Sequence, residues 1–270
     1  MAKGTVYDQI VESVFLSRYR KGAREVPFGR EEISRVAKEL GLDVPKNLGD
    51  VVYSYRYRKQ LPRAVRDRAP EGKQWVIRAA GTSRYCFAAV DIVNIIPSEA
   101  LAETKIPDAT PGLISMYALA DEQALLAKLR YNRLLDIFLG VACYSLQSHL
   151  RTAVPGLGQV ETDELYVGIA RSGVHYVFPV QAKGRRDRIS TIQVEQDLAM
   201  CKHKFPALVC CAVAVQFVHD DLIALFALEE TRKGIRVALE RHYLLVLPED
   251  LSKEELEAYG RRRPETELGL

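Results

Sequence analysis

Apolar residues recur at helical spacing in three segments near the start of the chain. They are Ile10, Val11, Val14 and Phe15 in the first, Ile33, Val36, Ala37 and Leu40 in the second, and Leu48, Val51, Val52 and Tyr55 in the third. This spacing predicts three amphipathic helices, each with one buried face. The second helix has Glu31 and Glu32 in its first turn, where the helix dipole favours them, and Gly41 as a left-handed C-terminal cap.

A predicted β-hairpin follows these helices, because the strand-like runs QWVIRAA and RYCFAAV flank the turn sequence GTS,. Three helices followed by a hairpin resemble a winged helix-turn-helix domain over residues 5–92,. The resemblance implies DNA as a partner, while a small helical domain without a ligand remains the alternative. The third helix has polar side chains beside its apolar face that suit phosphates and base edges. These candidate DNA contacts are Tyr53, Ser54, Arg56, Tyr57 and Gln60.

The segment 96–113 is rich in proline, with Pro97, Pro107 and Pro111, and we interpret it as a linker,. The predicted domains are therefore 1–95, a mainly helical winged helix-turn-helix, and 114–270.

The remaining chain alternates between helix-like and strand-like patterns. The run DEQALLAKLRYNRLLDIFLGVACYSLQSHLRTAV predicts one long helix, or two consecutive ones interrupted near Gly140,. Two strands follow, GQVETDELYVGI and VHYVFPVQAK, joined by a tight ARSG turn, and then a helix over 189–203. The apolar runs ALVCCAVAVQFV, LIALFALEE and IRVALERHYLLVL predict further strands, and SKEELEAYGRRR a final helix. This order is typical of a mixed α/β domain.

Charge is distributed unevenly along the chain. Residues 1–90 contain 18 lysines and arginines against 10 acidic residues, a balance of +8, although the whole chain of 270 residues carries only +3. A basic first domain favours a polyanionic partner such as nucleic acid. With 48% apolar residues, no apolar run long enough to span a membrane and no export signal, we expect a globular cytoplasmic protein with no membrane partner,. The five cysteines lack a paired motif and predict reduced thiols,.

Polar residues lie at the facing ends of the two predicted hairpin strands. Glu161 and Asp163 share one face of the first strand, and Gln181 and Lys183 share one face of the second,. If the hairpin is in register, carboxylates, an amide oxygen and an ammonium group converge at one end of the sheet. Hard oxygen ligands of this kind suit Mg²⁺, and a nearby lysine can orient the attacking water and stabilise transition-state charge.

The pattern ETDELYVG…VFPVQAK resembles the PD-(D/E)xK nuclease superfamily, the fold of most type II restriction endonucleases. The family has an acidic residue on one strand and an acid-x-Lys triplet on the next, and a further acid often lies on a preceding helix. The resemblance implies Asp163 as the metal-binding acid and catalytic residue, Gln181 and Lys183 as the triplet, and Mg²⁺ as cofactor, with Mn²⁺ as a substitute. Glu161 is the candidate for a third catalytic carboxylate, with Glu164 and the helical Asp136 as alternatives.

Two positions depart from the family pattern. Thr162 stands where the family has proline, and Gln181 replaces a carboxylate, which lowers the negative charge at a metal. Gln193, Gln196 and Asp197 follow Lys183 on the next predicted helix and are candidates for supporting the site. Arg185 and Arg186 follow the lysine directly and could hold phosphates beside the scissile bond.

The fold class expected from these resemblances is mixed α/β, with a restriction-endonuclease-like core. The expected function is sequence-specific cleavage of double-stranded DNA by a homodimer on a palindromic site, with a cognate DNA methyltransferase as a partner. Two alternatives remain open. One is a DNA-binding regulator whose second domain does not cleave, and the other is a repair or transposition nuclease that recognises DNA structure. No HExxH, GxSxG or GxxxxGK motif favours another enzyme class,.

Overall fold

The structure is a computed structural model that describes residues 5–57, 59–91, 95–118, 122–185, 187–219, 221–231 and 234–261. The chain divides into two compact units, Met1–Val93 with Thr152–Val160, and Asn94–Arg151 with Glu161–Leu270. Across the described ranges, no helix has both the length and the apolar character needed to cross a membrane.

Unit 1 combines helices with one small sheet. Its elements are α1 (Val6–Arg18), β1 (Glu25–Gly29), α2 (Arg30–Glu39), α3 (Leu48–Tyr57), α4 (Arg63–Arg66), β2 (Lys73–Ala79) and β3 (Arg84–Asp91). The three strands pair antiparallel in the order β1-β3-β2. The predicted three helices and hairpin are therefore present, whereas β1 and the short α4 were not predicted.

The predicted apolar faces of the three helices form the core of unit 1. Phe15, Ile33 and Val51, one from each helix, are buried in the same cluster as Trp75 and Phe87 of the sheet. Leu40 is the exception, at 44% exposed, because it follows the last residue of α2 and no longer faces the core. Gly41 has a φ of 65°, the left-handed conformation expected at this helix end,.

Unit 2 is built on a large sheet with helices packed against it. Its elements are β4 (Glu103–Pro107), α5 (Gly112–Tyr117), α6 (Glu122–Tyr131), α7 (Leu134–Leu139), β5 (Ala142–Val154), β6 (Gly158–Ile169), β7 (His175–Lys183), α8 (Thr191–Lys204), β8 (Val209–Cys210), β9 (Ala212–Phe217), β10 (Leu222–Thr231), β11 (Gly234–Val246), a 3-10 turn (Pro248–Asp250) and α9 (Lys253–Gly260). Within the described residues the sheet has eight strands, in the order β4-β11-β10-β9-β7-β6-β5, with β8 beside β7.

Both strand directions occur in this sheet. β6 pairs antiparallel with β7, and β10 pairs antiparallel with β9 and β11, whereas β9 runs parallel to β7 and β4 runs parallel to β11. α8 forms the crossover that parallel neighbours require. The prediction of a mixed α/β fold is confirmed.

The predicted linker, 96–113, contains regular structure. Strand β4 pairs in parallel with β11, from Glu103 opposite His242 to Pro107 opposite Val246. α5 begins at Gly112, inside the same segment. The chain from Asn94 onward is grouped with unit 2. The prolines therefore mark the ends of short elements and not one extended connector.

The prediction that helix continues beyond Gly140 is wrong. Gly140 has a φ of 67° and its amide donates to the Asp136 carbonyl, which ends α7. The following residues form β5, which is hydrogen-bonded to β6 across a connection of only three residues, 155–157. Cys143, Leu146 and Leu150 have helical spacing, but Leu146 is 51% exposed in the strand. The helical spacing of these apolar residues therefore does not reflect a buried helix face.

Helices cover both faces of the sheet around β7. Val180 and Ala182 lie in the buried cluster that includes residues of α6 and α7. Gln181, between them, points to the opposite face and donates a hydrogen bond to Asp197 of α8,. The polar end of β7 therefore lies on the α8 side of the sheet.

Candidate active site

The β6–β7 ladder ends where the polar residues begin. The printed register runs from Ile169 opposite His175 to Glu164 opposite Val180. Beyond that pair, the end of β7 is paired with β9, from Val180 opposite Val213 to Lys183 opposite Gln216. The Ala182 amide donates to Oδ2 of Asp163 at 2.9 Å. A side-chain carboxylate thus accepts an amide at the end of the backbone ladder, which fixes Asp163 beside β7.

Asp163 and Lys183 come together at this point, as the strand pattern predicted. Nζ of Lys183 lies 3.8 Å from Oδ2 of Asp163, and the two side chains are 14% and 24% exposed. The distance is that of an ion pair and is too long for a direct hydrogen bond. Both groups are therefore mostly shielded from water but remain partly accessible to it.

The side chain of Gln181 is buried, at 2% exposed. Its Nε2 donates to Oδ2 of Asp197 at 2.8 Å and to the Glu161 carbonyl at 3.3 Å. Both partners are acceptors, so the orientation of the amide is defined. Its Oε1 accepts no hydrogen bond from any described residue. Such an oxygen costs about 1–3 kcal/mol when nothing satisfies it, so this atom is a natural place for a ligand.

Asp197 of α8 is fully buried behind Gln181. It accepts hydrogen bonds from the Thr162 hydroxyl and from Gln181. The pKa of Asp197 is raised to about 7, chiefly by burial; the hydrogen bonds from Thr162 and Gln181 and the Lys183 charge oppose this rise, and the Asp163 charge adds to it. Thr162 is itself 0% exposed. The helix residue suggested as a support for the site therefore contacts it directly.

The other carboxylates considered as metal ligands have different partners. Glu161 lies 3.1 Å from the guanidinium of Arg151 on β5. Asp136 pairs with Arg133 and accepts the Cys143 amide at 2.9 Å, a contact that joins α7 to the start of β5. The structure therefore gives both groups a structural partner.

Glu164 lies on the other face of the sheet. Its side chain is 0% exposed, and Oε1 accepts from Nη2 of Arg130 at 2.8 Å and from the Ser145 hydroxyl at 2.5 Å. Its strand partner Val180 belongs to the cluster packed against α6 and α7. Glu164 is thus separated from Asp163 by the sheet, and it anchors α6 to β6 and β5.

The loop after Lys183 is held by a residue that the sequence analysis missed. Gln216 of β9 is 5% exposed, and its Nε2 donates to the carbonyls of Gly184, at 3.1 Å, and Asp187, at 2.8 Å. A polar residue inside the apolar run VCCAVAVQFV was the available signal. Arg185, in this loop, is exposed, and Arg186 lies outside the described residues.

The candidate DNA contacts of α3 differ in exposure. Gln60 is exposed, while Tyr53 and Ser54 are half-buried. Arg56 was expected to point outward. Its Nε and Nη2 atoms are shielded from solvent, so that expectation is wrong for these two nitrogens. The side chain of Tyr57 lies outside the described residues. Among the four whose side chains the structure describes, Gln60 is therefore the most accessible to a partner.

Two oxygen donors near the end of β7, from Asp163 and Gln181, are the candidates for holding a metal ion. In the part of the chain that the structure describes, no group of three or more histidine, cysteine or acidic side chains could hold a metal ion. Mg²⁺ needs fewer protein ligands than that, because it keeps several waters and binds through one or two carboxylates. Asp163, with the unsatisfied Oε1 of Gln181, offers a donor set of this type.

Comparison of the chain with family models, with curated proteins and with solved structures found no significant match.

Proposed function

We propose that the protein is a Mg²⁺-dependent DNA endonuclease, in which unit 2 cleaves and unit 1 binds DNA. The observation that carries this proposal is the arrangement of Asp163, Lys183 and Gln181. A carboxylate and an ammonium group face each other at 3.8 Å, and the buried amide oxygen of Gln181, two residues before Lys183 on β7, has no partner among the described residues. Phosphodiester hydrolysis needs a metal-binding acid together with a positive charge near the attacking water.

The order of elements in unit 2 supports a PD-(D/E)xK assignment. Helices α6 and α7 precede the strands, Asp163 lies on β6, and the QAK triplet lies on β7 after a hairpin. α8 then returns the chain to β9, parallel to β7, and supplies Asp197 beneath the triplet. An acid on one strand, a triplet on its neighbour and a supporting helix afterwards are what the sequence resemblance implied. The order of the elements and the positions of these residues on them therefore both support the assignment.

The chain's own residues have separable roles in this proposal. Asp163 and the Oε1 atom of Gln181 would hold Mg²⁺, which when bound lowers the pKa of a coordinated water and neutralises phosphate charge. Lys183 stabilises negative charge that develops on the phosphorus oxygens and orients the attacking water. The exposed Arg185 is placed to contact a flanking phosphate,.

Unit 1 supports the DNA-binding part of the proposal. Three helices packed on a three-stranded antiparallel sheet have the composition of a winged helix-turn-helix. The first 90 residues carry the basic excess of the chain, which attracts phosphates,. We infer that α3 is the recognition helix, with Tyr53 and Ser54 of the helix and Gln60, just after its end, closest to DNA. A type II restriction enzyme of this kind would act as a homodimer on a two-fold symmetric site and would require a protective methyltransferase.

A DNA-binding regulator without cleavage is the second candidate. One observation favours it: the described residues include no cluster of three acidic, histidine or cysteine side chains suited to a metal. Asp163 would then serve only to close the β6–β7 ladder through the Ala182 amide.

Sequencing of DNA ends separates these functions. The full-length protein is incubated with Mg²⁺ and a DNA of high sequence complexity, and all new ends are mapped. Ends at one recurring sequence support a restriction-type endonuclease, and ends at junctions or flaps support a structure-specific nuclease. Intact DNA in the presence of demonstrated binding would replace the nuclease proposal with the regulator.

A further inference from the structure

The hydrogen bonds around Asp197 have a defined polarity. Asp197 is 1% exposed, and its two oxygens accept from different donors: Oδ1 from the Thr162 hydroxyl and Oδ2 from Nε2 of Gln181. The carboxylate thus satisfies both donors and leaves Gln181 only one way to orient its amide. Oε1 is then the remaining acceptor of this amide; it is shielded from solvent and has no partner among the described residues.

A buried carboxylate that accepts from a ligand's N–H makes that ligand a stronger donor to a metal, as carboxylate–histidine pairs do at zinc sites. We propose that Asp197 and Thr162 are positioning residues that orient Gln181 and increase the basicity of its Oε1 atom for a divalent cation. This inference deepens the proposed function and rests on it for the identity of the cation. The polarity of the pair itself is independent of any activity.

These hydrogen bonds predict that a carboxylate at position 181 is unfavourable, although acid-x-Lys is the more usual triplet. In Gln181→Glu, two acceptor groups would face each other where the present donor–acceptor distance is 2.8 Å. A carboxylate has no N–H to give, so the pair keeps a hydrogen bond only by taking up a proton, and without that proton two buried negative charges face each other. Gln181→Glu is therefore expected to weaken the protein and its metal binding, although it creates an acid-x-Lys triplet.

Exchanging the donor and the acceptor between positions 181 and 197 should restore the hydrogen bond. In the double variant Gln181→Glu/Asp197→Asn, Nδ2 of the asparagine can donate to the new glutamate while Oδ1 still accepts from Thr162. The ligand then has a carboxylate oxygen and the supporting residue has the amide, so the contact between the two side chains again has one donor and one acceptor, although the Glu161 carbonyl loses the hydrogen bond that it receives from Gln181. Asp197→Asn alone should retain the fold but lose about tenfold or more in cation affinity, the usual effect of changing a supporting group behind a ligand.

The experiment measures thermal unfolding midpoints of the full-length variants without metal, the rise in midpoint on titration with Mg²⁺, and cleavage of plasmid DNA. Glu195→Gln is the matched control, because it also converts a carboxylate to an amide on α8 but lies outside the Gln181 contact. We expect Gln181→Glu to lower the midpoint and the Mg²⁺-induced rise, and the double variant to recover both. Glu195→Gln should behave as the parent. A cation that binds only the folded state raises the midpoint, so this readout does not depend on catalysis.

The outcomes separate this inference from the proposed function. If Gln181→Glu is as stable as the parent and the second substitution restores nothing, Asp197 does not position Gln181 and the inference is overturned. If the parent shows neither a Mg²⁺-induced rise nor cleavage, the nuclease proposal and the cation role of the pair both fall. Rescue of the metal-free midpoint would in that case still establish the polarity of the pair. Full recovery in all three readouts supports both.

Discussion

Among single residues, Asp163 is the one whose replacement tests metal binding most simply. Asp163→Ala removes the carboxylate that accepts the Ala182 amide and that faces Lys183 at 3.8 Å. We expect the Mg²⁺-induced rise in unfolding midpoint to disappear, while duplex DNA binding is retained because a negative charge near the phosphates is removed. Calorimetric titration with Mg²⁺ and a DNA-binding isotherm test this together. Unchanged Mg²⁺ affinity would exclude Asp163 as a ligand.

The pKa of Asp197 predicts a pH dependence of stability. Burial raises this pKa from 3.8 to about 7 in the folded protein. Asp197 therefore keeps its proton to a higher pH in the folded state than in the unfolded state. Its contribution to the free energy of unfolding is highest below pH 4 and falls as the pH rises towards 7. A shift of this size corresponds to about 4 kcal/mol over the window.

The comparison with Asp197→Asn isolates this contribution. The asparagine variant cannot titrate at this position, so the parent's stability relative to it should fall between pH 4 and pH 7 and level off above that. Urea denaturation at several pH values measures the difference. A difference that is constant with pH would show that Asp197 has an ordinary pKa in the folded state.

At the scale of elements, Gly140 decides whether a strand can follow α7. Its φ of 67° is left-handed, and a Cβ built at this position meets no atom within 4 Å. Gly140→Ala should therefore lower the free energy of unfolding by about 1–2 kcal/mol through backbone strain alone. Gly260→Ala is the matched control, because its Cβ also meets no atom within 4 Å and its φ is not left-handed. Equal stabilities of the two variants would contradict this explanation.

The sequence predicted elements well where one periodicity dominated. The apolar faces of α1, α2 and α3 were correct because their side chains pack against one core. β5 was missed because its apolar spacing mimics a helix, and its strand state depends on pairing with β6, which the spacing within β5 does not encode. β4 was missed because its partner β11 is far along the chain.

The candidate site shows the same division between local and distant information. Strand alternation was enough to bring Lys183 towards Asp163, because both lie on one hairpin. The role of Thr162 was not predictable, since its hydroxyl contacts Asp197 on a helix that only the crossover places there. Neither was the partner of Glu161, because Arg151 belongs to the strand that was expected to be helical.

At the scale of the whole molecule, the uneven charge predicts how DNA binding depends on salt. Because the basic excess lies in the first 90 residues, we expect the association constant for duplex DNA to fall steeply with salt,. Arg185→Ala should reduce the slope of log K against log salt by about 1 if it contacts a phosphate. Arg236→Ala, on β11 and paired with Glu229, serves as the control. A slope near zero for the parent would exclude a phosphate-based interface.

In the proposed function, Lys183 contributes to the chemical step of DNA cleavage. The direct test is the single-turnover rate at which Lys183→Ala cleaves plasmid DNA. Lys202→Ala is the matched control, since Lys202 is an exposed lysine of α8 paired with Glu230. We expect Lys183→Ala to bind DNA like the parent but to cleave it about 10²-fold more slowly or worse, because one charge that stabilises the transition state is gone. Lys202→Ala should cleave at the parental rate. Cleavage by Lys183→Ala at the parental rate would contradict the account and leave the Asp163–Lys183 pair as a structural contact at a strand end.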